Sequence, residues 1–198
     1  MIILFRIHTL MFFILSFSVI GGLFAQEPGK TGPAHEKQTG VEVQWYPAGW
    51  IVGPVVNYYI TPKHILNFRA AVNMANRHDW SGLNDDEQGT GFGGSIGYRY
   101  LFTPERNSFY IGARVDLWNM KIDWENDPGT AQETSGSTRV LVLQPSAELG
   151  YRINFKKSKW ILLLSGGIGQ EINIKTNGKE VGQGGMWLLG ISTYYTFK

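Results

Sequence analysis

The sequence predicts an all-β fold: an eight-stranded antiparallel transmembrane β-barrel, wound as an up-and-down meander. Three observations predict it. The chain opens on an export signal, its remaining part alternates with the period of a strand, and its last strand closes on an aromatic residue. The closing stretch is Trp187-Leu-Leu-Gly-Ile-Ser-Thr-Tyr-Tyr-Thr-Phe197, followed by Lys198. Trp187, Leu189, Ile191, Thr193, Tyr195 and Phe197 share one parity, and Leu188, Gly190, Ser192, Tyr194 and Thr196 share the other. A strand puts successive side chains on opposite faces, so this one has a large apolar face and a small or polar face.

The export signal comes first in the chain. Arg6 precedes an apolar run over residues 9–25, and Gln26-Glu-Pro-Gly-Lys30 follows it. A charge, an apolar stretch and a small residue at the exit form a cleavable secretory signal over residues 1–25, cut after Ala25. Residues 26–39 are polar, with Pro and Gly, and are expected to be a flexible leader. The barrel is expected over residues 40–198. The formal charge of +2 includes Arg6, so the exported part is near neutral and gives no argument for nucleic acid. Without cysteine there is no disulfide framework, thiol chemistry or lipid attachment through sulfur. The longest later apolar run, Trp160-Ile-Leu-Leu-Leu164, is far short of the ~20 residues of a spanning helix. Only helices and closed barrels satisfy their backbone in lipid, so a membrane protein of this pattern is a barrel.

Strand signals recur at 40–46, 50–60, 64–76, 89–102, 108–124, 138–153, 159–174 and 184–197. The count is even, as single-chain bacterial barrels require. In the first strand Val41, Val43 and Trp45 alternate with Glu42 and Gln44. In the third, Leu66, Phe68, Ala70, Val72 and Met74 alternate with Asn67, Arg69, Ala71 and Asn73. In the fourth, Phe92, Ile96, Tyr98, Tyr100 and Phe102 alternate with Gly93, Ser95, Gly97 and Arg99. In the sixth, Leu141, Leu143, Ala147, Leu149 and Tyr151 alternate with Gln144, Ser146, Glu148, Gly150 and Arg152. The apolar set is expected to face lipid and the other set the lumen.

Connections alternate in length. Thr61-Pro-Lys63, Thr103-Pro-Glu-Arg-Asn107 and Asn154-Phe-Lys-Lys-Ser158 are short, whereas His78–Gln88, Glu125–Gly136 and Thr176–Gly182 are longer. Short periplasmic turns and longer outside loops are the asymmetry of such barrels, with Pro47-Ala-Gly49 a short outside exception. Tyr58, Tyr100, Phe102, Phe109, Tyr151, Trp160, Tyr195 and Phe197 fall toward the periplasmic turns. Trp45, Trp50 and Trp187 fall toward the outside. These are the expected interfacial girdles.

The inward parity carries Glu42, Arg69, Arg99, Arg114, Asp116, Glu148, Arg152 and Glu171, four arginines against four carboxylates. An eight-stranded barrel is just wide enough for side chains to fill. Buried charges must be paired, so a salt-bridged plug is expected. Inward Gly93, Gly97, Gly112, Gly150, Gly167, Gly169 and Gly190 would leave room for arginines to cross the lumen. For Arg114 and Asp116 the natural partners are Arg99 on the preceding strand and Glu148 on the following one.

The stretches Phe92-Gly-Gly-Ser-Ile-Gly-Tyr-Arg-Tyr100, Gly112-Ala-Arg-Val-Asp-Leu-Trp118 and Gly182-Gln-Gly-Gly-Met-Trp-Leu188 look like a subfamily of small outer-membrane barrels. Over residues 40–198 the chain resembles the eight-stranded OmpX, OmpW and OmpA-barrel kind, on strand number, alternation and the C-terminal aromatic strand. Lys198 after Phe197 departs from a pattern in which the aromatic comes last. The resemblance implies a monomer in the outer membrane, both termini in the periplasm. It implies outer-membrane lipids and lipopolysaccharide as surroundings. It also implies barrel-assembly machinery that reads the terminal strand, with Tyr195 and Phe197 as the signal.

Other chemistry is weakly signalled. The glycine clusters at 91–97 and 165–169 precede no helical pattern and no phosphate-loop lysine, so they read as small inward residues. His78, Asp79 and Ser81 share a loop, and some eight-stranded barrels are lipid A hydrolases or acyltransferases. A triad is recognised by geometry and not by closeness in sequence, so no catalytic residue is assigned. Asn84-Asp-Asp-Glu87 lacks the spacing of a calcium loop and reads as a solvated acidic loop. No metal and no cofactor are expected. The function expected is structural, or surface interaction through the outside loops. A narrow pore or port for small hydrophobic molecules, and a lipid A-modifying enzyme, are the alternatives.

Overall fold

The computed structural model describes residues 37–78, 83–104, 107–155 and 158–197; the expected signal and residues 26–36 of the leader lie outside the described residues. Eight strands follow in order: β1 Lys37–Tyr46, β2 Gly49–Tyr59, β3 His64–His78, β4 Asp86–Leu101, β5 Ser108–Asn126, β6 Thr134–Asn154, β7 Trp160–Asn177 and β8 Gly184–Phe197. Each pairs antiparallel with the next, and β8 pairs back onto β1 from Lys37–Phe197 to Trp45–Leu189. The sheet is therefore a closed up-and-down barrel, in which no strand edge is left unpaired.

Side chains sort by parity as the sequence predicts. On the outside, Phe92, Ile96, Ile168, Leu189 and Ile191 are each more than half exposed, Phe92 and Ile168 reaching 69% and 70%. Inside, Glu42, Arg69, Arg99, Arg114 and Asp116 are buried. A soluble protein has the reverse arrangement. Apolar side chains outside and a polar interior are what a hydrocarbon solvent selects, because every backbone group is paired within the sheet. The girdle aromatics sit outside at both ends. Trp45 packs against Trp187 at 4.6 Å and Trp50 at 6.4 Å between centroids, and Phe109 packs against Tyr151 at 4.7 Å.

The strands depart from the sequence expectation at their ends. β1 starts at Lys37, so residues 37–39, assigned to the leader, pair with β2 and β8. On the other side of the barrel β4, β5, β6 and β7 run further than their apolar alternation. The β5–β6 ladder continues to Asn126–Thr134, and β4 begins at Asp86. Outward positions there become polar, such as Asn119, Lys121 and Asp123 on β5, which inverts the alternation against inward Met120 and Ile122 while the hydrogen-bonded ladder continues. The loops at this end are correspondingly shorter than expected. The rim is uneven: β1 and β2 end low at the Pro47–Ala48 turn, and β4–β7 stand tall. Gly49 has φ 151°, and a Cβ there would lie 1.8 Å from the Met74 carbonyl oxygen, so this turn requires glycine. One register shift, between Leu141 and Val142, places an extra residue on β7 at Ile174.

Candidate functional site: a charged lumen and its outer mouth

Period-two geometry brings inward charges from β1, β3, β4, β5 and β6 to one level of the lumen. Glu42 is the hub. Its Oε1 accepts from Arg69 Nη1 and Arg114 Nη1, each at 2.5 Å. Its Oε2 accepts from Arg114 Nη2 at 3.1 Å, Arg99 Nη2 at 3.2 Å and Ser192 Oγ at 3.0 Å. Arg69 also donates to Asp116 Oδ1 at 2.6 Å and to Gln44 Oε1 at 3.0 Å. Arg99 Nε donates to Glu148 Oε1 at 2.5 Å and its Nη1 to the Tyr194 hydroxyl at 2.9 Å. Arg114 stands 3.7 Å from Glu148. Three guanidiniums therefore meet three carboxylates, all buried except the half-buried Glu148. Planar guanidinium groups suit this arrangement, since each presents donors to two carboxylates at once.

The partners differ in part from those expected. Asp116 pairs with Arg69, two strands away, and Arg114 reaches across the lumen to Glu42, because the barrel interior is narrow enough for facing side chains to touch. Apolar layers enclose the charged level. Below it pack Tyr59, Ile65, Leu101, Tyr110 and Tyr194; above it pack Tyr46, Ile51, Trp118, Met120 and Leu188. The Arg69 guanidinium lies 5.6 Å from the Trp118 ring and that of Arg99 lies 5.3 Å from Tyr110. Glycines open this space, though not only for arginines. A Cβ on Gly97 would touch Arg114, one on Gly112 would sit 2.9 Å from Glu148 Oε1, and one on Gly150 would meet the Tyr110 ring at 2.4 Å.

Arg152 and Glu171 lie apart from the central set. Arg152, near the opposite end, donates to the Tyr59 hydroxyl at 3.3 Å and to the Pro104 carbonyl oxygen. Glu171 lies at the mouth opposite the termini, where it accepts from Arg77 Nη2. Arg77 also donates to Glu87 Oε2 at 3.1 Å and to the Gly182 carbonyl at 2.8 Å. Glu87 accepts from Asn84 Nδ2 at 2.7 Å and from the Gly182 amide at 3.0 Å. This cluster corrects the reading of residues 84–87 as a solvated acidic loop: Asn84 and Glu87 are buried, because β4 begins at Asp86 and turns Glu87 inward. Arg77 had the signal that could have found it, since it continues the inward parity of Arg69, Ala71, Asn73 and Ala75.

Beside the mouth lies a cavity of about 370 Å³, lined by the Pro47–Ala48 turn, Tyr46, Arg77, Glu171 and the segment Gly182–Trp187. Among the described residues no group of histidine, aspartate or glutamate has the arrangement of a metal site. Of the suggested hydrolase set, Asp79 and Ser81 lie outside the described residues, and His78 ends β3. Tyr195 points outward and packs on Trp160 at 5.4 Å, and the Phe197 backbone pairs with Lys37.

No family model matches the chain, and no curated protein matches it in sequence. Solved structures share its architecture. Neisserial surface protein A is 11% identical with a TM-score of 0.53, covering 85% of this chain and all of that one. The N-terminal β-barrel domain of Pseudomonas aeruginosa OprF is 14% identical with a TM-score of 0.47, covering 82% of this chain and 98% of that one. The barrel closure, the meander and the first of these likenesses agree: the chain has the fold of the small eight-stranded outer-membrane β-barrels.

Proposed function

We propose that the protein is an integral outer-membrane barrel whose lumen is closed by paired charges and which serves as a rigid platform for its outer hairpins. The observation that carries this reading is Glu42. One carboxylate holds three arginines from three other strands, with apolar layers above and below it. A hydrated path would have to separate these ions and pass Trp118 on one side and Tyr110 on the other. The outward apolar surface and the two aromatic girdles support the membrane, and the secretory signal supports the outer one. In this reading both termini are periplasmic, and the β8 strand ending in Tyr195 and Phe197 is what the assembly machinery recognises. Lipids and lipopolysaccharide contact the belt, and the chain works as a monomer.

The tall β5–β6 hairpin is the surface such a platform would present. Its tip is ordered by its own polar groups: the Gly129 amide donates to Glu133 Oε2 at 2.8 Å, and the Asp127 amide donates to Asp85 Oδ2 at 2.7 Å across to the neighbouring loop. Planar-bilayer recording of the refolded protein tests the closed lumen. No steady conductance is expected at moderate voltage; regular open-channel steps would favour the pore.

A further inference from the structure

We infer that the outer wall across the end of β8 is a headgroup site for an anionic phospholipid. The inference rests on the membrane reading and adds which lipid this end of the belt selects. Charge is segregated along the barrel. At the loop end stand Asp85, Asp86, Asp123, Glu125, Asp127 and Glu133. At the other end, where β1 starts and β8 stops, the described residues 37–41, 55–66, 98–104, 107–112, 149–155, 158–164 and 191–197 include no aspartate or glutamate. Lys37, Lys63 and Lys159 lie among them. An anion reaching this end from the bilayer therefore meets cations and, among the described residues, no carboxylate to oppose it.

Two of these lysines bracket one strand. Lys37 pairs in register with Phe197, and the Thr196 amide donates to the Lys159 carbonyl at 3.0 Å. Their backbones thus flank the end of β8 about 10 Å apart, two strand spacings. Lys37 is exposed on the outward parity of Val41 and Val43, and the Lys159 ammonium lies 5.7 Å from the centroid of the outward Tyr195 ring. One step into the wall comes an interfacial row, in which Thr39 pairs with Tyr195 and Tyr195 with Trp160. Beyond it the wall is aliphatic, with Val41, then Ile191 and Leu164, exposed. The order along the wall is ammonium pair, hydroxyl and aromatic rings, then aliphatic side chains. That is the order of a phospholipid: phosphate, glycerol ester, acyl chains. Aromatic rings hold the interface, and lysines at its rim meet phosphate. A zwitterionic headgroup brings its own cation against the lysine pair, and an anionic one does not, so the pair favours the anionic lipid. In the proposed orientation this is a lipid of the periplasmic leaflet.

The test uses the full exported chain refolded in non-ionic detergent. Dioleoylphosphatidylglycerol and dioleoylphosphatidylcholine, matched in their acyl chains, are added at equal concentration, and the retained lipids are counted by native mass spectrometry. Saturable retention of the anionic lipid is expected, about 25-fold over the zwitterionic one, from about fivefold for each lysine, the ~1 kcal/mol of a cation at an anionic surface. Lys37→Gln and Lys159→Gln should each lower the ratio about fivefold, and the double variant should bring it close to unity. Lys121→Gln and Lys175→Gln, at the loop end, should leave it unchanged. Heat-modifiable migration checks that each variant is folded. Excess inorganic phosphate should not displace the lipid, because the acyl chains hold it to the belt. Displacement by phosphate, equal retention of the two lipids, or a preference that survives the double variant in a folded barrel would overturn the site. Retention of neither lipid would overturn the membrane belt and the site with it, which separates that failure from equal retention, where the belt stands and the site alone falls.

Discussion

The lumen holds two charged clusters that differ in how they are built. The central one is made wholly from strand side chains, Glu42, Arg69, Arg99, Arg114, Asp116 and Glu148, and its charges balance. The one at the mouth joins three strand residues, Arg77, Glu87 and Glu171, to loop groups: Asn84, the amide and carbonyl of Gly182, and the Glu180 carbonyl. The first lies between two apolar clusters, and the second borders a cavity. A balanced, strand-borne charge set ties five strands together; the one at the mouth ties loop groups to the strands.

The largest expected effect strikes the hub. Glu42→Ala leaves three arginines short of a partner in a dry layer, and urea unfolding in micelles should show a loss of about 3–5 kcal/mol. A loss below about 1 kcal/mol would mean that water reaches the layer. Next comes the outer surface. Ile191 lies midway between Trp187 and Tyr195 on β8, beside Val43 and Leu164, all outward. Ile191→Arg should cost about 2–4 kcal/mol in lipid, the value for a cation at the midplane of a barrel. If that variant is silent in bilayers, the apolar belt does not face hydrocarbon.

At the mouth, Arg77→Met removes the one guanidinium between two carboxylates. Because the cavity admits water, the expected loss is smaller, about 1.5–3 kcal/mol. Hydrogen exchange should locate it, with faster exchange at the Gly182 amide and unchanged rates at the β3–β4 ladder near Arg99. Uniform acceleration over the whole barrel would erase the distinction between the two clusters. The smallest effect belongs to the outer wall. Lys121 and Asp123 pair at 3.1 Å but are 58% and 60% exposed, so Asp123→Asn should change stability by less than about 1 kcal/mol.

The same contrast explains what could be read from the sequence. Fold, parity and the six central charges were legible because a strand with one face in lipid keeps strict period-two alternation. Their partners were legible only in part: Arg114 does stand 3.7 Å from Glu148 on the neighbouring strand, but strand tilt and a narrow bore also carry it across to Glu42. The mouth was illegible for a different reason. Above the apolar belt the outward face turns polar, and over Asp86–Gly91 of β4 the inward face carries no apolar residue either, so alternation alone starts β4 after Glu87 and puts that residue in a solvated loop. Trp118, Tyr110 and Tyr194 fell on the inward parity as well, yet glycine-lined space for aromatic rings leaves no mark in hydropathy. Gly150 makes room for Tyr110 only through a contact between strands.

A double-mutant cycle between Arg114 and Glu42 tests the sealed central layer most directly. Arg114→Met, Glu42→Gln and the pair are compared by urea unfolding in micelles, with Lys121 and Asp123 as the exposed reference pair. Removing the second partner should recover part of the cost of removing the first, giving a coupling of about 1–3 kcal/mol, well above that of the surface pair. Coupling indistinguishable from zero, equal to the reference pair, would contradict a dry and mutually held charge network.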